Sequence, residues 1–305
     1  MNTNARMPVL FIGHGSPMNA IEDNPWRSEW QHLGETLPRP RAVVCVSAHW
    51  ETHGVAVTSS PRPETVHDFY GFPRPLYDLR YDAPGDALLA REVSGMLGAG
   101  ATIDNRRGLD HGFPRELFAV EYPAPGDPDL ARDIARRAGG DEIPVQLDPQ
   151  RGIDHGAWSV LCAMYPDADV PVLQLSLDAR RPGEWHYAFA KRLAFLRDEG
   201  VLVLGSGNIV HNLPLLGRYW NATPPDWAVR FRDRVNASIA AHEHAALCDW
   251  RTLDADAALA VPAPEHYLPL LYALALQRDD DVVETFNDDV FATLAMTSLR
   301  IGSRN

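Results

Sequence analysis

Three histidines stand at or just past the ends of short apolar runs. His14 follows Val9-Leu10-Phe11-Ile12-Gly13, His49 follows Val43-Val44-Cys45-Val46-Ser47-Ala48, and His211 follows Val201-Leu202-Val203-Leu204 through the small-residue loop Gly205-Ser206-Gly207-Asn208. His266, in Pro264-Glu265-His266-Tyr267-Leu268-Pro269, has a comparable apolar and proline-marked context. Neutral imidazole is the commonest protein metal ligand, so the chemistry these residues suggest first is a shared metal. An all-imidazole site without thiolate suits Zn, Fe, Cu or Ni. Three protein ligands with open positions point to catalysis, and a further histidine beside the metal can serve as acid or base, its ordinary pKa lying near working pH.

Two more histidines belong with this group. His155 lies in Asp154-His155-Gly156-Ala157-Trp158 at an expected helix start, with Asp154 as the expected cap. His111 repeats the Asp-His-Gly but runs on into Phe113-Pro114; His155 is preferred because its downstream segment leads into an expected strand. His67, in the aromatic loop His67-Asp68-Phe69-Tyr70-Gly71-Phe72-Pro73, is a candidate for contact with a flat substrate.

The elements that must position these residues are legible from periodicity. Short β-branched runs bounded by Gly or Pro predict buried strands at 8–12, 42–47, 171–176 and 201–204. Residues 182–199 predict a helix with Trp185, Phe189, Leu193 and Leu196 inward, and with Arg192, Arg197 and Asp198 on the wet face, stopped by Gly200. A second helix is expected over 226–247; His242 and His244 fall at its far end and do not share a face. Alternating strands and helices predict one α/β domain over 1–305, its central mostly parallel or mixed sheet flanked by helices. In open sheets of this class ligands gather at strand carboxyl ends, so the metal site is expected there.

A tandem duplication complicates the middle of the chain. Gly71-Phe72-Pro73-Arg74 recurs as Gly112-Phe113-Pro114-Arg115, Ala83-Pro84-Gly85-Asp86 as Ala124-Pro125-Gly126-Asp127, and Leu89-Ala90-Arg91 as Leu130-Ala131-Arg132. The copies cover about 71–111 and 112–155 and each ends in Asp-His-Gly. Two copies are too few for a solenoid, so they read as an insertion packed beside the main sheet or as a remodelled pocket wall.

Composition narrows the partners. A net charge of −13 argues against nucleic acid or an anionic membrane. The isolated cysteines Cys45, Cys162 and Cys248 disfavour a disulfide framework, and the polar leader lacks a signal-peptide core, so a cytoplasmic protein is expected. Ser16 is followed by proline and is not a nucleophile elbow; Gly205-Ser206-Gly207 lacks the third glycine of a dinucleotide fingerprint.

At its motifs the chain resembles the class III extradiol ring-cleavage dioxygenases, in the branch containing the DOPA-cleaving enzymes. The blocks that carry the resemblance are Gly13-His14-Gly15-Ser16-Pro17-Met18-Asn19, Ser47-Ala48-His49-Trp50, His67-Asp68-Phe69, Asp154-His155-Gly156, Tyr165-Pro166-Asp167-Ala168-Asp169, Gly207-Asn208-Ile209-Val210-His211-Asn212 and Pro264-Glu265-His266-Tyr267-Leu268-Pro269. The resemblance implies that His14, His49 and His266 are metal ligands, His211 a fourth ligand or the catalytic base, and His155 a histidine on the substrate or oxygen side. It further implies Fe(II) for catalysis, with Zn(II) able to occupy the same site, and a catechol (DOPA-like or related) plus O2 as substrates, opened to a muconic semialdehyde. The extra repeat departs from the family pattern and bears on substrate choice. The histidines by themselves also admit a zinc hydrolase with a metal-bound water as nucleophile, or a non-catalytic metal or small-molecule binding protein.

Overall fold

The apolar runs become the middle of one mixed sheet. In the computed structural model, which describes residues 6–69, 122–140 and 143–303, the strands are β1 (Val9–Gly13), β2 (Ala42–Thr52), β3 (Val55–Thr58), β4 (Val145–Asp148), β5 (Val172–Asp178), β6 (Val201–Gly207), β7 (Asp281–Phe286), β8 (Val290–Phe291), β9 (Leu294–Ala295) and β10 (Ser298–Ser303). Eight of them pair in the order β4-β3-β5-β2-β6-β1-β10-β7, and β8 with β9 makes a separate small ladder. The central run β5-β2-β6-β1 is parallel; β3 joins β5, β10 joins β1, and β7 joins β10 antiparallel.

Both faces of the centre are covered, which explains continuous rather than alternating hydrophobicity. Val9, Phe11, Val44 and Val46 pack into one cluster with helices α4 (Gly183–Ala190), α6 (Asp226–Ala240) and α7 (Leu268–Ala275). Their strand neighbours Leu10, Ile12, Val43 and Cys45 point the other way, into a cluster with α1 (Pro25–Thr36) and α3 (His155–Met164). Each fully buried aliphatic or aromatic side chain contributes roughly 1.5–3 kcal/mol, so the strands nearest the site are also the most heavily anchored. The Asp127 carboxylate, in the second copy of the repeat, caps α2 (Pro128–Arg137) through the Leu130 N–H at 2.9 Å. The first copy of the repeat, including His111, and residues 112–121 of the second lie outside the described residues.

Two helices differ from expectation. The 182–199 segment divides into α4, a 3-10 turn at Lys191–Leu193 and a short helix at Phe195–Asp198 before Gly200, whose φ of +72° ends it. The 226–247 segment breaks after Ala240, where His242 adopts a left-handed φ of 56°, and resumes as a short helix at His244–Cys248.

The larger correction concerns Arg197, which is not on a wet face. It is fully buried, donating through Nη2 to Asp281 Oδ1 at 3.0 Å and through Nε to the Met7 carbonyl at 2.8 Å. A guanidinium can be buried only when its donors are matched, and Asp281, 84 residues further along the chain at the start of β7, supplies the match because β7 pairs with β10 beside the first strand.

Burial would raise the Asp281 carboxyl, but hydrogen bonds from Arg197, the Arg278 N–H and Arg6 outweigh it and hold the group at about 2. Because the folded value lies below the ordinary carboxylate value, this stabilisation is complete above about pH 4 and is lost as pH falls toward 2. Asp281→Asn should cost about 3–5 kcal/mol at neutral pH. Denaturant unfolding across pH will check this: the variant should lack that part of the wild-type acid limb.

Candidate metal centre

The site forms at the carboxyl ends of β1, β2 and β6, closed by the loop before α7. His14 is the first residue after β1, and the chain then turns sharply through Gly15 at φ +62°, a conformation that favours glycine. His49 does not end its strand as expected. β2 continues to Thr52, and its register against β5 jumps between Val46 and Glu51, a bulge that holds the His49 ring toward His14. His266 is brought in by backbone packing: the Asn208 N–H donates to its carbonyl at 2.8 Å, and a Cβ at Gly207 would lie 2.1 Å from that same oxygen. His211 lies beyond β6, its N–H donating to the Ala260 carbonyl, and forms a bridge with Leu294 of β9.

The ring nitrogens of His14, His49 and His266 converge, all within 4.8 Å of one another, with the Nε2 atoms of His14 and His49 only 3.1 Å apart. His211 lies flat on His266, centroids 3.4 Å apart and planes within 6°. Its nitrogen groups with Glu265 and His266, whereas His14 and His49 group with His266 on their own. The His155 ring packs against His49 at 4.0 Å, so five imidazoles make one continuous cluster. His67 stands behind it, its ring 5.8 Å from both Phe69 and Trp158, while Phe69 also meets His155.

Electrostatics keep the rings of His14, His49, His211 and His266 uncharged. Burial, followed by the neighbouring imidazoles, pushes His14 and His266 well below the ordinary histidine value. Burial likewise takes His211 down to about 3 and His49 to about 4, the carboxylates near His49 offsetting part of its shift. Their back sides are held by partners. Ser206 donates its hydroxyl proton to the Gly156 carbonyl, so toward His14 Nδ1, 3.0 Å away, it can only accept. That leaves the proton of His14 on Nδ1 and the Nε2 lone pair facing the cluster. His266 Nδ1 meets Glu265 Oε1 at 3.1 Å, whereas its Nε2 is buried with no hydrogen-bond partner. A buried, unpartnered ring nitrogen facing two others is the donor set a cation would complete, and three neutral nitrogens fit a borderline divalent metal.

The profile of the catalytic LigB subunit of aromatic ring-opening dioxygenase matches residues 115–299. The chain belongs to this family. It is 40% identical to the 4,5-DOPA dioxygenase extradiol of Escherichia coli (strain K12), across 98% of this chain and 96% of that one. It is 31% identical to the Beta vulgaris protein of the same name, across 92% and 90%. The crystal structure of an uncharacterized protein from Escherichia coli K12 superposes with a TM-score of 0.73 at 36% identity, covering 97% of this chain and all of that one. As a LigB-family member the chain is an extradiol ring-cleaving oxidoreductase, which decides against the hydrolase and the non-catalytic binder that the histidines alone admit. No helix among the described residues is long and apolar enough to cross a membrane.

Several residues of this LigB-family site carry roles the sequence did not disclose. Asp154 sits at the N-cap position of α3 yet makes no capping bond. Its fully buried carboxylate instead accepts from Ser47 Oγ at 2.6 Å, Gln174 Nε2 at 2.7 Å and Arg151 Nη2 at 3.0 Å, and Arg151 also reaches the His49 carbonyl. That network pins the bulged end of β2. Asp68 takes over at the helix start, accepting from the His155 N–H. Ser206 lies within β6, which runs on through the Gly205-Ser206-Gly207 segment expected to be a loop, and its hydroxyl was not assigned; the available signal was a hydroxyl flanked by two glycines at a strand end.

Gly207→Ala would drive a methyl group into the His266 carbonyl and displace that loop. Ring cleavage should fall on the order of 100-fold, as for a misplacement of about 1 Å. Steady-state oxygen uptake by the folded variant will measure it.

Proposed function

We propose that this protein cleaves the ring of a catechol next to, rather than between, its two hydroxyls, using O2 and a non-haem divalent metal held by His14, His49 and His266. The observation that carries the proposal is the convergence of three neutral ring nitrogens, one of them buried and unpartnered, in a chain of the LigB family. Fe(II) is the metal proposed for turnover, with Zn(II) able to fill the same nitrogens. Bound there, the metal supplies a Lewis-acidic, redox-active centre on which catechol and O2 meet.

The protein's own groups supply orientation and proton handling. His211, neutral and stacked on His266, is proposed as the base that takes a catechol hydroxyl proton on its free ring nitrogen. Its nitrogen groups with Glu265 and His266, which favours this role over that of a fourth ligand. His155, with Nδ1 2.7 Å from Asp68 Oδ1, presents its other nitrogen toward the cluster and is proposed to hold or return a proton on the opposite side. Phe69, buried against His155 and Trp158, and His67 behind it offer aromatic surface for a planar ring. The DOPA-named relatives make a DOPA-like catechol the first substrate to test, and the proposed duplication over about 71–111 and 112–155 is where substrate choice would diverge from theirs. A cytoplasmic location is proposed with this function.

Protein loaded anaerobically with Fe(II) and then exposed to air with DOPA and other catechols should consume oxygen and form a yellow ring-opened product. Absence of turnover across the panel at full iron occupancy would overturn the proposal. His211→Gln should keep the metal while turnover falls roughly 100- to 10,000-fold, whereas His14→Ala should lose the metal as well. Iron analysis of each purified variant separates the two effects.

A further inference from the structure

We propose that Asp68 is a positioning residue whose single carboxylate sets the ring tautomer of both His49 and His155, turning the Nε2 atoms of the two imidazoles toward the same volume. The inference rests on the assignment of His49 as a metal ligand.

The geometry is that of a clamp. Asp68 Oδ1 accepts from His155 twice, from the backbone N–H at 3.1 Å and from Nδ1–H at 2.7 Å. Its other oxygen, Oδ2, faces His49 Nδ1 at 3.5 Å. The two rings so addressed are packed 4.0 Å apart, and His49 Nε2 points at His14 Nε2, 3.1 Å away. An ionised carboxylate only accepts hydrogen bonds, so His155 Nδ1 carries a proton, and the same negative charge, 3.5 Å from His49 Nδ1, favours a proton there over a lone pair. A neutral imidazole has one ring proton, so placing it on Nδ1 leaves the Nε2 lone pair free. Oδ1 takes two N–H groups of His155, which favours the ionised form of the carboxylate. Because Oδ1 also receives the first N–H of α3, the carboxylate cannot rotate without releasing the helix start. One side chain therefore ties a proposed ligand to the proposed proton carrier, and a change at Asp68 reaches both.

Asp68→Asn separates these functions with little change of shape. The His155 N–H requires an acceptor at the Oδ1 position, so the amide oxygen stays there and the NH2 faces His49 Nδ1. His49 must then accept on Nδ1 and carry its proton on Nε2, the nitrogen a metal needs. Co(II) affinity, measured by competition with a chromophoric chelator, should fall 10- to 100-fold, the usual effect of losing such an outer partner. In 15N NMR of histidine-labelled, chelator-stripped full chain, wild-type His49 and His155 should both show a protonated Nδ1, and in the variant His49 alone should switch to Nε2. Wild-type His49 or His155 protonated on Nε2 overturns the proposal whether or not the variant folds. So does a folded variant with wild-type Co(II) affinity. His49→Ala distinguishes the two levels. If it binds Co(II) as wild type does, the assignment of His49 as a ligand fails; if it weakens binding while Asp68→Asn does not, only the role of Asp68 fails.

Discussion

The desolvated ring nitrogens of His14, His49 and His266, turned on one another, are the constraint on which the rest of the site depends. Such an arrangement is unfavourable in the absence of a cation: His14 and His49 Nε2 stand 3.1 Å apart, and His266 Nε2 has no partner. It persists because rings are held from behind, His14 by Ser206, His155 by Asp68, and His266 by Glu265, while Asp68 also faces His49 at 3.5 Å. Orientation by outer partners is the general way a protein holds metal-binding histidines against relaxation, and here three different residue types provide it.

Those outer partners act only because the sheet is rigid at the site. Parallel β1, β2 and β6 deliver their residues to one edge, and antiparallel β10 brackets β1 on its far side. The register jump in β2 lets that strand carry His49 past the line of the sheet, and the buried network of Asp154, Ser47, Gln174 and Arg151 fixes the jump. Ser206 joins two layers by bonding both His14 and the first turn of α3. A site built this way moves as a unit: the helix start that presents His155 cannot shift without disturbing the hydroxyl that orients His14.

Much of this was legible from residue order, for identifiable reasons. The strand positions could be read because both faces of the central sheet are covered, giving apolar runs too short for helices. Breaks in the helices were not, because the left-handed turn at His242 and the 3-10 turn at Lys191–Leu193 carry no glycine or proline to mark them. Arg197 was misplaced for a different reason. Its position on the helix said solvent, but its partner Asp281 comes from β7, and burial of a charge is decided by the partner rather than by periodicity.

By itself the sequence determined the α/β class, the strand that His14 follows, the strand that carries His49, and the candidate histidines, because hydrophobic period and residue type are local properties. Only the tertiary structure decided which nitrogens converge, that His211 stacks on His266, and that Asp154 braces a strand while Asp68 bonds the helix start. Those outcomes depend on angles and distances of a few ångströms between segments far apart in the chain. Residue order specifies such quantities only through the packing of the whole.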